Sequence, residues 1–285
     1  MVLEVFQGWH AACLISPVMA SERIKAVLFD LDGVLYVGDE PIPGAGEALE
    51  RIAAAGLQRA FVTNTTTRPA REVWEKLQRL GFAIEAGEIF TAVSATRAYL
   101  REQGWQRVRL LVRDSILPEF EGFTITEESP EAVVIGDIGA AWEYSLLNSV
   151  FRNLMDGACF VAMHRNKYWQ TEDGLRMDIG AFVAGLEYVS GVKPTIVGKP
   201  SAPFFASVLA RLGVVPQEAV MIGDDIESDI GGGNAAGVRG YLVRTGKFRE
   251  DVLASSAVQP EAVGQSIADL PGWLGVGVDG AQGGT

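Results

Sequence analysis

Short apolar runs alternate with longer amphipathic stretches along most of this chain. The runs fall at 24–29, 58–62, 108–112, 132–136, 158–163, 194–197, 218–222 and 240–243. Their length and near-continuous apolar character predict strands buried on both faces. Between most of them, residues 44–54, 70–80, 142–154, 179–188 and 203–212 carry apolar side chains at helical spacing. Strand and helix in alternation predict an α/β fold with a parallel sheet and right-handed crossovers. No internal repeat of fixed period interrupts the pattern.

Composition narrows the picture. Apolar residues make up 48% of the 285, enough for a sizeable core. No stretch reaches the ~18 uninterrupted apolar residues of a membrane span. A net charge of −12 argues against nucleic acid or an anionic membrane as partner. It also means that an anionic substrate needs a local positive centre. The two cysteines, Cys13 and Cys159, offer no disulfide framework and point to a reducing, cytoplasmic compartment. With only His10 and His164, a His-rich zinc site is excluded and general base work falls to carboxylates. Residues 1–21 are apolar at first but contain Glu4 and no Lys or Arg before Arg23, unlike a secretory signal. They read as a disordered or spurious extension, with Met19 a suitable start. The glycine-rich residues 273–285 read as a disordered tail.

Candidate chemistry sits at strand ends. The 24–29 run leads into Asp30-Leu31-Asp32-Gly33. In a strand, Asp30 and Asp32 would leave on the same face. Two like charges that close call for a cation between them. Three later segments share this grammar. Thr63-Asn64 follows one run and offers a hydroxyl and an amide to phosphate oxygens, or an ordinary N-cap cluster. Gly198-Lys199-Pro200 follows another and offers a point charge to an anion, or a plain surface lysine. Gly223-Asp224-Asp225, with Asp229 beyond, ends a third in acids that suit a cation, or a solvated helix start. Thr245-Gly246-Lys247 lacks the spacing of a P-loop and reads as a turn. Gly275 to Gly280 spells a dinucleotide fingerprint but follows no strand and carries no weight.

Together, Asp30-Leu31-Asp32-Gly33, Thr63-Asn64, Lys199-Pro200 and Gly223-Asp224-Asp225 with Asp229 resemble the four ordered motifs of the haloacid dehalogenase superfamily. The long insert between the second and third motifs resembles the large α/β cap of the subfamily of NagD and the p-nitrophenyl phosphatases. The resemblance implies a doubly wound parallel-sheet core over 22–93 and 192–272, with an inserted α/β cap over 94–191. It implies a phosphatase for a small phosphorylated metabolite. Asp30 would be the nucleophile and Asp32 the acid and base. Some members carry Ser at the position of Asp32; here the acid pair is complete. Mg²⁺ would be held by Asp30, the backbone carbonyl of Asp32 and Asp224, supported by Asp229 and Asp225. Lys199, Thr63 and Asn64 would bind phosphoryl oxygens, with Gly33 making room for backbone amides. Cap residues His164, Arg165, Tyr168 and Asp178 would face the substrate. Pairing of two copies through the cap is a further expectation. The resemblance leaves open cleavage of P–N or pyrophosphate bonds, a phosphomutase, and a non-catalytic phosphate-binding regulator.

Overall fold

The computed structural model describes residues 24–171 and 174–276. The extension 1–21 and the tail from 277 lie outside the described residues.

In chain order, β1 (Ala26–Phe29) leads through a hairpin, β2 (Tyr36–Val37) and β3 (Glu40–Pro41), into α1 (Ala45–Ala54), β4 (Gln58–Thr63), α2 (Ala70–Arg79) and β5 (Ile89–Thr91). A second group follows. It holds α3 (Ala92–Glu102), β6 (Arg107–Leu111), β7 (Thr124–Ile125), β8 (Ala132–Ile135), α4 (Tyr144–Met155) and β9 (Cys159–Ala162). The hairpin β10 (Tyr168–Thr171) and β11 (Gly174–Met177), α5 (Gly180–Ser190) and β12 (Thr195–Ile196) complete it. The chain then returns with α6 (Ala202–Leu212), β13 (Ala219–Gly223), α7 (Gly232–Ala235), β14 (Arg239–Val243), α8 (Glu250–Ser255), β15 (Ala262–Gly264) and α9 (Leu270–Trp273).

The first sheet is parallel throughout, in the order β15-β14-β13-β1-β4-β5. Its central strands have no polar face because helices cover both sides. Val27, Phe29, Phe61, Val220 and Ile222 meet α1 and α2 on one side. Ala26, Leu28, Ala60, Val62 and Met221 meet α6 on the other. This is the doubly wound arrangement, with its strand order reversing between β1 and β13.

The second sheet is also parallel, in the order β12-β9-β8-β6-β7. Val108, Val134 and Val161 face α3, and Val133, Ile135 and Phe160 face α4 and α5. The expected boundaries at 93/94 and 191/192 therefore shift. Ala92, Val93 and Leu100 of α3 belong to the core of the second sheet. Thr195 and Ile196 pair with Val161 and Ala162, so β12 closes that sheet and is not a core strand. The expected end of the first unit at 272 is also short, since Trp273, Leu274 and Val276 pack against its core. Among the described residues, no helix is long and apolar enough to cross a membrane.

Candidate active site

Ligands in an open α/β sheet sit beyond the carboxyl ends of the strands, where the order reverses. Here that point lies between β1 and β13, and each strand delivers an acid to it. Asp30 follows Phe29 and donates its backbone N–H to Ile222 O at 2.9 Å. Asp224 follows Gly223. Asp229 returns from a single π-helical turn, Ile226–Gly231. A Cβ on Gly223 would lie 2.3 Å from the Asp229 side chain, so only glycine lets that turn fold back over the strand end. Asp225 caps the turn, its Oδ1 accepting from the backbone of Glu227 and Ser228, each at 3.0 Å. The result is three buried acids, Asp30, Asp224 and Asp229, with carboxylate oxygens within 4.8 Å of one another.

Lys199 is set into this group. Its Nζ donates to Asp30 Oδ1 at 2.6 Å, Asp229 Oδ1 at 2.7 Å and Val62 O at 3.2 Å. An ammonium has three donors, and all three are committed. Burial opposes the charge on Lys199, but Asp229 and Asp30 outweigh it and hold its pKa above the ordinary lysine value. The opposing carboxyl of Asp229 is pushed up by burial and pulled back by Lys199. At 2.7 Å the ion pair governs.

The delivery of Lys199 differs from the expectation. It does not follow a strand of the first sheet; it follows β12, where the chain re-enters from the second sheet. The side chain of Asn64 fixes that re-entry. Its Nδ2 donates to Lys199 O and its Oδ1 accepts from Lys199 N, both at 2.9 Å. The Asn64 side chain is thus a clamp on the lysine backbone, which uses one of its two N–H donors. Gly198 lies inside the clamp: its N–H donates to Met163 O at 2.8 Å, and a Cβ there would meet Asn64 Oδ1 at 2.7 Å.

Asp224 is the test of whether a cation fits. Its Oδ2 accepts from the Lys247 backbone N–H at 2.6 Å. Its Oδ1 is buried with no hydrogen-bond partner. A buried lone carboxylate oxygen is costly. Burial, then the charge of Asp30, pushes the Asp224 pKa well up, against the pull of Lys247. Three acids offering only oxygen, one of them unpartnered, suit a hard divalent cation.

The remaining motif residues separate. The strand ends at Phe29, so the two-residue alternation does not carry Asp32 onto the face of Asp30. Asp32 stands in the following turn, bridged to Tyr36 and exposed. Its carboxylate is not among the converging acids, which corrects the expectation of a same-face pair. Partial burial and then Asp30 raise its pKa, against Lys247 and Lys76. Gly33, at φ +86°, would place a Cβ 2.0 Å from Asp224 Oδ2, so its lack of a side chain makes room for that carboxylate. The Thr63 hydroxyl accepts from Thr65 N at 3.1 Å and shares a bond with Thr65 Oγ1 at 2.9 Å.

The expected cap residues gather at the carboxyl edge of the second sheet. His164 Nε2 and Asp178 Oδ1 are 3.9 Å apart. Burial, then the charges of Lys247 and Lys199, push the His164 pKa down to about 3, so the ring is neutral. Its Nδ1 accepts from Asn166 N at 3.3 Å, which assigns the proton to Nε2. Asp178 is pushed up to about 6, first by burial and also by the charge of Asp137. Arg165 is turned away to Glu187, at 2.7 Å, and Tyr168 is partly exposed. A crevice of about 510 Å³ opens where the second sheet reverses its order, lined by Arg113, Asp114 and Ile138 among others; none of the three acids lines it.

Thr245, Gly246 and Lys247 do form a turn, as expected, but the turn belongs to the site. Thr245 Oγ1 donates to Gly33 O. A Cβ on Gly246 would be 2.0 Å from Asp224 Oδ2. The signal was available: these residues follow the apolar run 240–243 just as Asp30 follows its own.

Comparison with known proteins finds relatives over most of the described residues. The family model described as haloacid dehalogenase-like hydrolase matches residues 27–126, and one described as HAD-hydrolase-like matches residues 196–270. The chain is 47% identical over 232 residues to haloacid dehalogenase-like hydrolase domain-containing protein 2 of Bos taurus, covering 81% of this chain and 88% of that protein. It is 39% identical to phospholysine phosphohistidine inorganic pyrophosphate phosphatase of Xenopus laevis, covering 79% and 85%. Among solved structures, the 4-nitrophenylphosphatase of Thermotoga maritima superposes with a TM-score of 0.81 at 28% identity, covering 87% of this chain and 96% of that one.

Proposed function

The chain belongs to the haloacid dehalogenase-like hydrolase family, and on that premise we propose that it is a divalent-metal-dependent phosphatase for a small phosphorylated metabolite. The observation that carries this reading is the buried group Asp30, Asp224 and Asp229 around Lys199, with Asp224 Oδ1 lacking a partner. Asp30, Asp224 and the backbone carbonyl of Asp32 would hold Mg²⁺, with Asp229 behind them. When bound, the cation offsets the negative charge that otherwise keeps a carboxylate from an anionic phosphoryl group.

Asp30 attacks phosphorus and forms an aspartyl phosphate while the bond to the leaving oxygen breaks. Asp32, exposed and with a raised pKa, gives that oxygen its proton. As a carboxylate it then takes a proton from the water that hydrolyses the acyl phosphate, and orthophosphate leaves. Lys199 has no free donor for the phosphoryl group. Its part is to hold Asp30 and Asp229 apart as charges and to aim Asp30. His164, neutral and carrying its proton on Nε2, is a hydrogen-bond donor for the leaving group rather than a cation.

Release of phosphate from p-nitrophenyl phosphate tests the reading. Wild-type protein with Mg²⁺ should turn over, EDTA should stop it, and Asp30→Asn should lose at least a thousandfold in kcat with its circular dichroism spectrum unchanged. Activity retained in Asp30→Asn refutes the nucleophile. The Xenopus relative, named for phospholysine, phosphohistidine and pyrophosphate, favours P–N or P–O–P cleavage as a second reading, separable by running phosphoramidate and pyrophosphate beside the ester.

A further inference from the structure

Lys199, the lysine carried by the motifs, is fully occupied: three donors, three acceptors, and 2% exposure. Any further negative charge on a substrate needs another cation. One stands beside the acids. Lys247 is anchored through its backbone, not its side chain, by the 2.6 Å bond from its N–H to Asp224 Oδ2. The preceding Gly246 lies flat against Gly33, so close that a Cβ would come within 2.5 Å of the Gly33 Cα. The main chain at Lys247 is thus placed by the acid group itself.

The ammonium lies near the acids, whose charges hold its pKa above the ordinary lysine value, but among the described residues it makes no hydrogen bond to a carboxylate. Its recorded carboxylate contact is Asp225 Oδ2 at 3.9 Å, beyond hydrogen-bond range, and 28% of the side chain is exposed. Its charge reaches Asp32 beside the first sheet and His164 and Asp178 at the edge of the second.

We propose that Lys247 is a substrate-binding residue that receives an anionic leaving group, and that it biases this site toward phosphoanhydrides and other substrates whose leaving group is itself negative. An aryl or alkyl leaving group carries no charge of its own until the P–O bond breaks, so the bound ester gives the ammonium nothing to pair with. An anionic one gains a charge-assisted hydrogen bond as charge builds on the departing oxygen. The inference rests on the phosphatase reading above, but the site contact can be tested apart from it.

Lys247→Met keeps the backbone bond to Asp224 and removes only the charge. The ratio of kcat/KM for pyrophosphate to that for p-nitrophenyl phosphate should fall at least tenfold in Lys247→Met and recover in part in Lys247→Arg. An unchanged ratio, whether both substrates suffer equally or neither does, overturns the proposal. Should the wild-type protein hydrolyse neither compound, the phosphatase reading fails, and binding decides for Lys247. Calorimetry of the Mg²⁺-loaded protein with methylenediphosphonate and with methylphosphonate should then show Lys247→Met weakening the first at least tenfold more than the second. Equal weakening, or none, overturns it.

Discussion

Asp178 keeps a largely buried carboxyl at the edge of the second sheet. Its Oδ1 accepts from Ile179 N at 2.7 Å, and the nearest histidine is neutral. Burial raises its pKa from 3.8 to about 6. The sign of the linkage follows. Below pH 3.8 the group is protonated in both states and contributes nothing. As pH rises, the unfolded chain ionises first, so stability is lost between 3.8 and about 6 and the penalty is complete above that. A shift of this size corresponds to at most about 3 kcal/mol. Asp178→Asn keeps an acceptor for Ile179 and removes the charge. It should raise stability in urea by about 1–3 kcal/mol at pH 7.5, and the gain should shrink at pH 4.5; a gain independent of pH contradicts this account. A costly charge retained beside His164 is itself a mark of a functional site.

At the scale of elements, the site depends on how three loops interlock. The turn after β1 and the turn after β14 meet through Gly33 and Gly246, with the Asp224 carboxylate between them. Gly33→Ala would put a Cβ 2.0 Å from Asp224 Oδ2 at a φ of +86°. The backbone strain alone costs about 1–2 kcal/mol, and the carboxylate must also move. The variant should fold with a lowered Tm and show Mg²⁺ affinity reduced at least tenfold by calorimetry; wild-type affinity would mean that Asp224 is not a ligand. The central strands were legible because helices cover both their faces, which writes β1 and β13 as unbroken apolar runs. The edges were not. β5 and β15 have three residues each, too short for periodicity, and α3 begins directly after β5, whose last residue, Thr91, is also its N-cap. The acids were legible through spacing from strand ends. The clamp of Asn64 on Lys199 was not, because it joins residues 135 apart and amide and hydroxyl clusters read equally well as helix caps.

For the molecule as a whole, folding brings three acids into one small buried volume in a chain that already carries a net charge of −12. Lys199 offsets only part of this, so the metal-free fold holds repulsion that a cation relieves. Binding confined to the folded state adds stability as RT ln(1 + [L]/Kd), about 2.7 kcal/mol at a hundredfold excess over Kd. In a chain of this size that is a rise of about 5–10 °C in Tm. Asp224→Asn removes one of the like charges and one ligand together, which separates the two effects. In EDTA the variant should melt above the wild-type protein, because less charge is buried without a partner. With saturating Mg²⁺ the wild-type Tm should rise by about 5–10 °C and overtake the variant, which should barely respond. If Mg²⁺ moved neither protein, the acids at the reversal between β1 and β13 would be a structural network and not a metal centre. The crossing of the two melting curves is therefore the signature of a fold that gives up stability at its switch point to hold a cation there.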